Sequence, residues 1–188
     1  MQTEPIGADL RALRRARGLT LAALAARLGR STGWLSQVER DLSTPDAADM
    51  DRLAHALDAP RSLLDPVTTG AVVRAADRRP IGERVPGLTE SLLNPDLTDG
   101  FEVIHSTFAP GARRDAPVAR DTTEIAHLLS GRLTLWLGDD RHDLTPGDTA
   151  RLRGEPFRWA NPGPDPAVAV WIITPAIYTQ HSVQGSTP

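Results

Sequence analysis

A two-part α + β chain is what this sequence predicts: a helical N-terminal unit followed by an all-β barrel or sandwich. Three observations carry that reading. Residues 19–45, LTLAALAARLGRSTGWLSQVERDLSTP, repeat apolar residues at helical spacing on both sides of one Gly. From Pro66 the period changes to short segments rich in Val, Ile, Leu and Thr, separated by turns such as Pro86-Gly87, Pro110-Gly111, Gly138-Asp139 and Pro146-Gly147, the pattern of an all-β domain. At 188 residues, with 40% hydrophobic and 24% charged side chains, the chain has room and composition for two small soluble domains.

The first helix is read over residues 8–17, with Leu10 and Leu13 inward. Thr20 is a good N-cap for a second helix, whose buried face is Leu21, Leu24, Ala25 and Leu28. Gly29 ends it, because a residue that accepts a left-handed backbone lets the chain turn sharply into another helix. Ser31 caps that third helix. Its apolar positions are Leu35 and Val38 with Trp34 flanking, which leaves Thr32, Gly33, Ser36, Gln37 and Arg40 outward. Such a short, polar face can enter a major groove, where Gln and Ser read base edges and Arg meets phosphate. A solvated helix of an ordinary bundle is the blander alternative for any isolated helix pair.

Thr44 is read as the cap of a fourth helix with Pro45 at its first position and Asp46 complementing the dipole. Met50, Leu53, Ala54 and Leu57 form its buried stripe. A short turn over residues 61–64 closes the helical unit at residue 65, and residues 66–96 are read as a linker with leading strands over 72–80 and 89–94. The barrel proper is expected over 97–178, with a loosely ordered tail over 179–188.

The net charge of −3 would argue against a nucleic-acid partner, but its distribution matters more than its sum. Residues 6–40 carry Arg11, Arg14, Arg15, Arg17, Arg27, Arg30 and Arg40 against only Asp9 and Glu39. Arg11, Arg15 and Arg17 are either phosphate contacts or solvated. With no Cys in the chain, disulfides and thiolate metal sites are excluded, and any metal would fall to His and carboxylates. The first residues lack the basic and apolar blocks of a signal peptide, and no run reaches the ~18 apolar residues of a membrane span. A cytoplasmic protein without membrane contact is expected.

Residues 6–64 resemble the DNA-binding domain of the phage-repressor-like (XRE) helix-turn-helix regulators. RALRRARGLT at 11–20, LSQVER at 35–40 and AHALDAP at 54–60 carry the likeness. The resemblance implies a five-helix bundle, operator DNA as partner, and an ion pair of Arg14 with Glu39 bracing the first helix against the recognition helix. Leu21 stands where many relatives place a Gln that meets the DNA backbone, so that contact is not carried over. Asp41 replaces a Gly usual after the Glu-Arg pair, and Asp is among the few other residues that tolerate a left-handed cap.

Residues 97–175 carry a second resemblance, to the cupin barrel (double-stranded β-helix). Glu124 precedes Gly131 by the usual seven positions, and Pro146, Gly147, Asp148 and Asn161 match the second motif. Catalytic cupins hold a divalent ion with three His and one Glu. Here the His positions fall on Val118, Arg120 and Phe157, and only Glu124 survives, so the resemblance implies no metal, no cofactor and no enzymatic activity. Val118, Arg120, Glu124, Phe157 and Trp159 are expected in the interior, lining either a small-molecule pocket or a filled core. Arg120 beside Glu124 is either an internal ion pair or an anion-binding group. A helix-turn-helix joined to one cupin resembles a homodimeric transcriptional regulator whose cupin senses an effector, or only dimerises. The rival is a metal-dependent cupin oxygenase or epoxidase with an accessory helical domain.

Overall fold

The computed structural model describes residues 6–65, 72–82 and 85–178, so the expected tail lies outside the described residues. Among the described residues four α-helices form the N-terminal unit: α1 (Gly7–Ala16), α2 (Leu21–Leu28), α3 (Thr32–Val38) and α4 (Ala47–Ala56). The expectation of five helices is corrected here. Residues Arg61–Leu64 make a single 3-10 turn, too short between Pro60 and Asp65 for α-helical bonding. Thr20 and Ser31 cap as read, their hydroxyls accepting the N–H groups of Ala23 (3.0 Å) and Trp34 (3.1 Å). Thr44 does not cap α4. Asp46 does, accepting the N–H of Asp49 at 2.6 Å, and Pro45 lies one residue outside the cap. A carboxylate both accepts this bond and opposes the positive end of the helix dipole, which a Thr hydroxyl cannot do.

Among the described residues ten antiparallel strands follow: β1 (Arg79–Gly82), β2 (Leu88–Leu92), β3 (Glu102–Phe108), β4 (Arg113–Val118), β5 (Thr123–Ser130), β6 (Leu133–Leu137), β7 (Asp140–Leu144), β8 (Thr149–Leu152), β9 (Phe157–Ala160) and β10 (Ala167–Thr174). They form a six-stranded sheet, β1-β2-β3-β10-β5-β8, and a four-stranded sheet, β4-β9-β6-β7. Burial alternates along β3, β5 and β10. Ile104, Ser106 and Phe108 of β3, Ala126 and Leu128 of β5, and Ala169, Trp171 and Ile173 of β10 are buried, as two facing sheets require.

Two expected boundaries shift. β1 and β2 are paired into the larger sheet, so the barrel begins at Arg79 rather than at residue 97. The expected strand over 72–80 is reduced to its last two residues. Before them Ala75–Asp77 form a 3-10 turn, in a polar run without period-2 alternation. β2 stops before Asn94 because that side chain supplies its own bonds, donating to Asp99 Oδ2 (2.8 Å) and accepting the Val103 N–H (2.6 Å).

Two motif residues explain how the barrel closes. At Gly131 (φ +78°) a Cβ would lie 2.5 Å from Ala167 Cα and 2.7 Å from the Pro166 oxygen, so only Gly fits. Asn161, fully buried, donates Nδ2 to the carbonyls of Phe108 (3.0 Å) and Asp165 (2.9 Å) and accepts the Gly163 N–H (2.9 Å), tying three segments at one end of the barrel.

Candidate nucleic-acid interface and barrel interior

The geometry of α3 follows from what its inward side must satisfy. Leu35 and Val38 are fully buried, and Glu39, which ends the helix, is 5% exposed. Its carboxylate accepts Nε (2.6 Å) and Nη2 (2.9 Å) of Arg14, a two-pronged match of guanidinium to carboxylate. Arg14 also reaches the Leu19 carbonyl (2.7 Å), and its pKa is raised by the Glu39 hydrogen bond, so it stays charged. Arg11 adds Nη2 to the Glu39 carbonyl at 2.9 Å. The brace between α1 and α3 implied by the resemblance is therefore present in the geometry.

The left-handed cap expected at Asp41 is present; its side-chain role and the close approach at Gly7 carry no local sequence signal. Asp41 adopts a left-handed backbone (φ 58°), and its Oδ1 accepts the N–H groups of Ile6 (3.0 Å) and Gly7 (2.7 Å), capping α1 from the far end of α3. Gly7 is the point of closest approach: a Cβ there would sit 2.7 Å from the Glu39 carbonyl carbon and from the Val38 oxygen. On α2's side, Arg30 forks onto Asp49 (Nε to Oδ1 3.1 Å, Nη2 to Oδ2 2.9 Å) and lies 5.1 Å over the Trp34 ring.

With its inward side fixed, α3 leaves Thr32, Gly33, Gln37 and Arg40 exposed and Ser36 half-buried. Arg40 Nε donates to the Ser36 carbonyl at 3.1 Å. At Gly33 a Cβ would meet only Ser31 Oγ, at 3.9 Å, so internal packing does not demand glycine there. The three remaining arginines separate. Arg15 is exposed, and Arg11 is partly exposed beside Glu39. Arg17 corrects the phosphate-or-solvent reading: its Nε donates to Leu57 O (2.7 Å), Nη1 to Ile177 O (2.5 Å), and Nη2 to Asp58 O (3.0 Å) and Tyr178 O (2.9 Å). All three of its nitrogens are engaged by the protein, and burial lowers its pKa against the opposing charges of Asp58 and Glu102.

In the barrel, Arg120, Phe157 and Trp159 line a common cavity, whereas Val118 and Glu124 are buried beside it. Val118 and Phe157 are register partners on β4 and β9, and the Arg120 guanidinium lies 5.7 Å from the Phe157 ring. Glu124 holds Arg120 Nη1 (3.3 Å) and the Thr122 hydroxyl (2.8 Å), the internal ion pair rather than an open anion site. Sequence reasoning missed the other lining residues, among them Glu90, Glu102, Arg114 and Trp171. These four stand on strands whose inward register is visible only once the sheet is paired. The cavity measures about 40 Å³, room for two or three waters. The interior is thus close to a filled core.

Divalent metals need several neutral or anionic donors converging on one point. The residues at the motif positions do not fit one: a valine, a cation and a phenyl ring stand where three His are expected, and the motif carboxylate, Glu124, is already paired with that cation. Among the described residues no group of three or more His, Cys, Asp or Glu side chains could hold a metal ion. His127 points away from Glu124, bonding Thr149 Oγ1 through Nδ1 at 2.9 Å. Among the described residues no helix is long and apolar enough to cross a membrane.

Comparison with known proteins agrees with this architecture. Residues 5–67 match a helix-turn-helix domain family and residues 104–173 a cupin domain family. Among solved structures, an HTH_3 family transcriptional regulator from Vibrio cholerae is 26% identical, over 91% of this chain and 95% of that one, with a TM-score of 0.44. The cupin domain of an XRE family transcriptional regulator from Enterobacter cloacae is 24% identical over 47% of this chain and 96% of its own, at a TM-score of 0.42. The polyketide cyclase RemF from Streptomyces resistomycificus shares the barrel fold at 19% identity over 62% of this chain and 87% of that one, TM-score 0.52. No protein of curated function matches. The chain therefore joins a helix-turn-helix domain, over residues 5–67, to a cupin domain, over residues 104–173.

Proposed function

We propose that this protein is a one-component, cytoplasmic transcriptional regulator of the XRE type. Thr32, Gly33, Ser36 and Gln37 of α3 read operator bases, Arg40 with Arg11 and Arg15 positions the domain on phosphates, and the cupin domain senses a small-molecule effector and holds a homodimer together. The observation that carries this is the division of α3: Leu35, Val38 and Glu39 are buried and braced, while a short-chained polar face is left outward next to an arginine. A bare Gly33 that packing does not require supports close approach of a nucleic-acid backbone.

The dimer reading rests on two supports. One recognition helix covers too few bases for genomic specificity, so two copies on half-sites roughly 34 Å apart are expected. The outer face of the six-stranded sheet also exposes Ile125, Leu129 and Ile172, of which Ile125 and Ile172 are cross-strand partners. A metal-dependent cupin enzyme is disfavoured by the side chains themselves, since Val118, Arg120 and Phe157 offer no metal ligands. Selection from a randomised DNA duplex pool tests the proposal. Enrichment of an inverted repeat is expected, and a pool that stays random after repeated rounds would remove operator recognition.

A further inference from the structure

The helical unit and the barrel are joined by a set of directed bonds, several of which meet on the segment after β10. Arg17, at the C-terminal end of α1, grips the end of α4 through the carbonyls of Leu57 and Asp58 and the segment 175–178 through those of Ile177 and Tyr178. On the other side of α1, Asp9 accepts the Leu97 N–H at 2.8 Å and pairs with Arg79, which in turn donates to the Leu63 carbonyl at 3.2 Å. The Tyr178 hydroxyl closes the ring by donating to the carbonyls of Leu97 and Asp99.

Ile177 belongs to both sides of this seam. Its side chain lines the barrel cavity together with Glu102, and its N–H donates to Glu102 Oε1 at 3.3 Å, while its carbonyl is held by Arg17. The cavity's small volume supplies the second half of the argument. An organic effector is larger than two or three waters, so its entry must displace a wall. Trp171 and Ile173 of β10, and Ile104 and Glu102 of β3, are fixed by ladders to neighbouring strands. Ile177, like Val85 and Arg120, lies outside the strands and has no such ladder, and it is the one whose carbonyl Arg17 holds.

We propose that segment 175–178 is the element that transmits cavity occupancy to the DNA-binding unit: ligand entry displaces Ile177, releases the Arg17 clamp, and frees the C-terminal ends of α1 and α4 from the barrel. This rests on the cupin being the sensor. It adds the differential contact that any effector must have with the two states if it is to shift their populations.

The test is hydrogen exchange on the full-length chain, with Ile177→Phe standing in for an occupant by driving bulk into the cavity. In the wild-type background, exchange at the C-terminal ends of α1 and α4 should rise about fivefold or more, the lower end of ordinary allosteric coupling. Arg17→Met should raise the same amides alone, after which Ile177→Phe adds nothing there. Should Arg17→Met fail to fold, Arg17→Lys serves, since an ammonium cannot span four carbonyls in two domains. Equal increments from Ile177→Phe in both backgrounds, or changes confined to barrel strands, would overturn the clamp. Failure of the regulator reading is separately visible: a wild-type chain that selects no DNA sinks that reading, whereas selective DNA binding with unmoved α1 amides sinks only the clamp.

Discussion

Removing the carboxylate under the recognition helix by Glu39→Ala should be one of the most damaging single changes to the helical unit. Glu39 is 4% exposed at its side chain and Arg14 is 11% exposed, so the variant strands a guanidinium whose Nε and Nη2 have lost their acceptors. Breaking a buried pair by deleting one partner costs about 3–5 kcal/mol. Arg14 keeps its bond to the Leu19 carbonyl, which places the expected loss near the lower figure, about 3 kcal/mol. Arg11 contributes little more, because its side chain is 42% exposed and its ion pair with Glu39 is 3.5 Å long. For a domain of this size the loss corresponds to a melting-temperature drop of roughly 12 °C or more. Urea denaturation followed by far-ultraviolet circular dichroism measures it. The decisive comparison is the double variant Arg14→Met with Glu39→Met, which replaces both charges with apolar bulk and should stay within about 1–2 kcal/mol of the wild type. If the two single losses simply add in the double variant, the pair is not coupled and the brace account is wrong.

Gly131→Ala should destabilise the barrel by about 3 kcal/mol, because strain and collision combine there, whereas Gly138→Ala, also left-handed (φ +60°) but with nothing within 4 Å, should cost only about 1–2 kcal/mol; equal losses would refute the close-approach argument. Asp49 on α4 pairs with Arg30, ahead of α3, and with Arg52 on its own helix. Burial pushes its pKa up, but hydrogen bonds and charges from Arg52 and Arg30 outweigh burial and hold it below its ordinary 3.8. A depressed carboxylate stabilises the fold above its unfolded pKa, and that contribution is lost as pH falls through the folded one. Asp49→Asn should therefore lower stability at neutral pH and flatten the loss of stability on acidification below about pH 4, and an unchanged acid limb would contradict it.

What could be read in the sequence was mostly local. Thr20 and Ser31 announce their caps because the accepted N–H lies three residues away, and Gly29 marks the turn because its left-handed backbone is a one-residue property. The fourth helix shows the limit: Thr44, Pro45 and Asp46 compose two plausible starts, and only chain geometry selects Asp46. Arg17 was beyond reach for a different reason. An arginine in a basic first helix reads the same whether it meets phosphate or carbonyls 160 residues away, and this one meets Ile177 and Tyr178. Asp41 and Gly7 likewise act on partners 34 or 35 residues distant. In the barrel, motif spacing located Gly131 and Asn161 at their closing positions. The near-filled interior was not legible, because side-chain volumes in a cavity depend on pairing register rather than on composition.

The central claim is that α3 reads base sequence through its outward polar face, and it is tested most directly by determining the selected operator for the wild type and for Gln37→Ala side by side. The account predicts that the wild type enriches one inverted repeat and that Gln37→Ala relaxes preference at a single base step of each half-site, by about 1–3 kcal/mol, with the remaining steps unchanged. Identical preference at every position for the two proteins would contradict it.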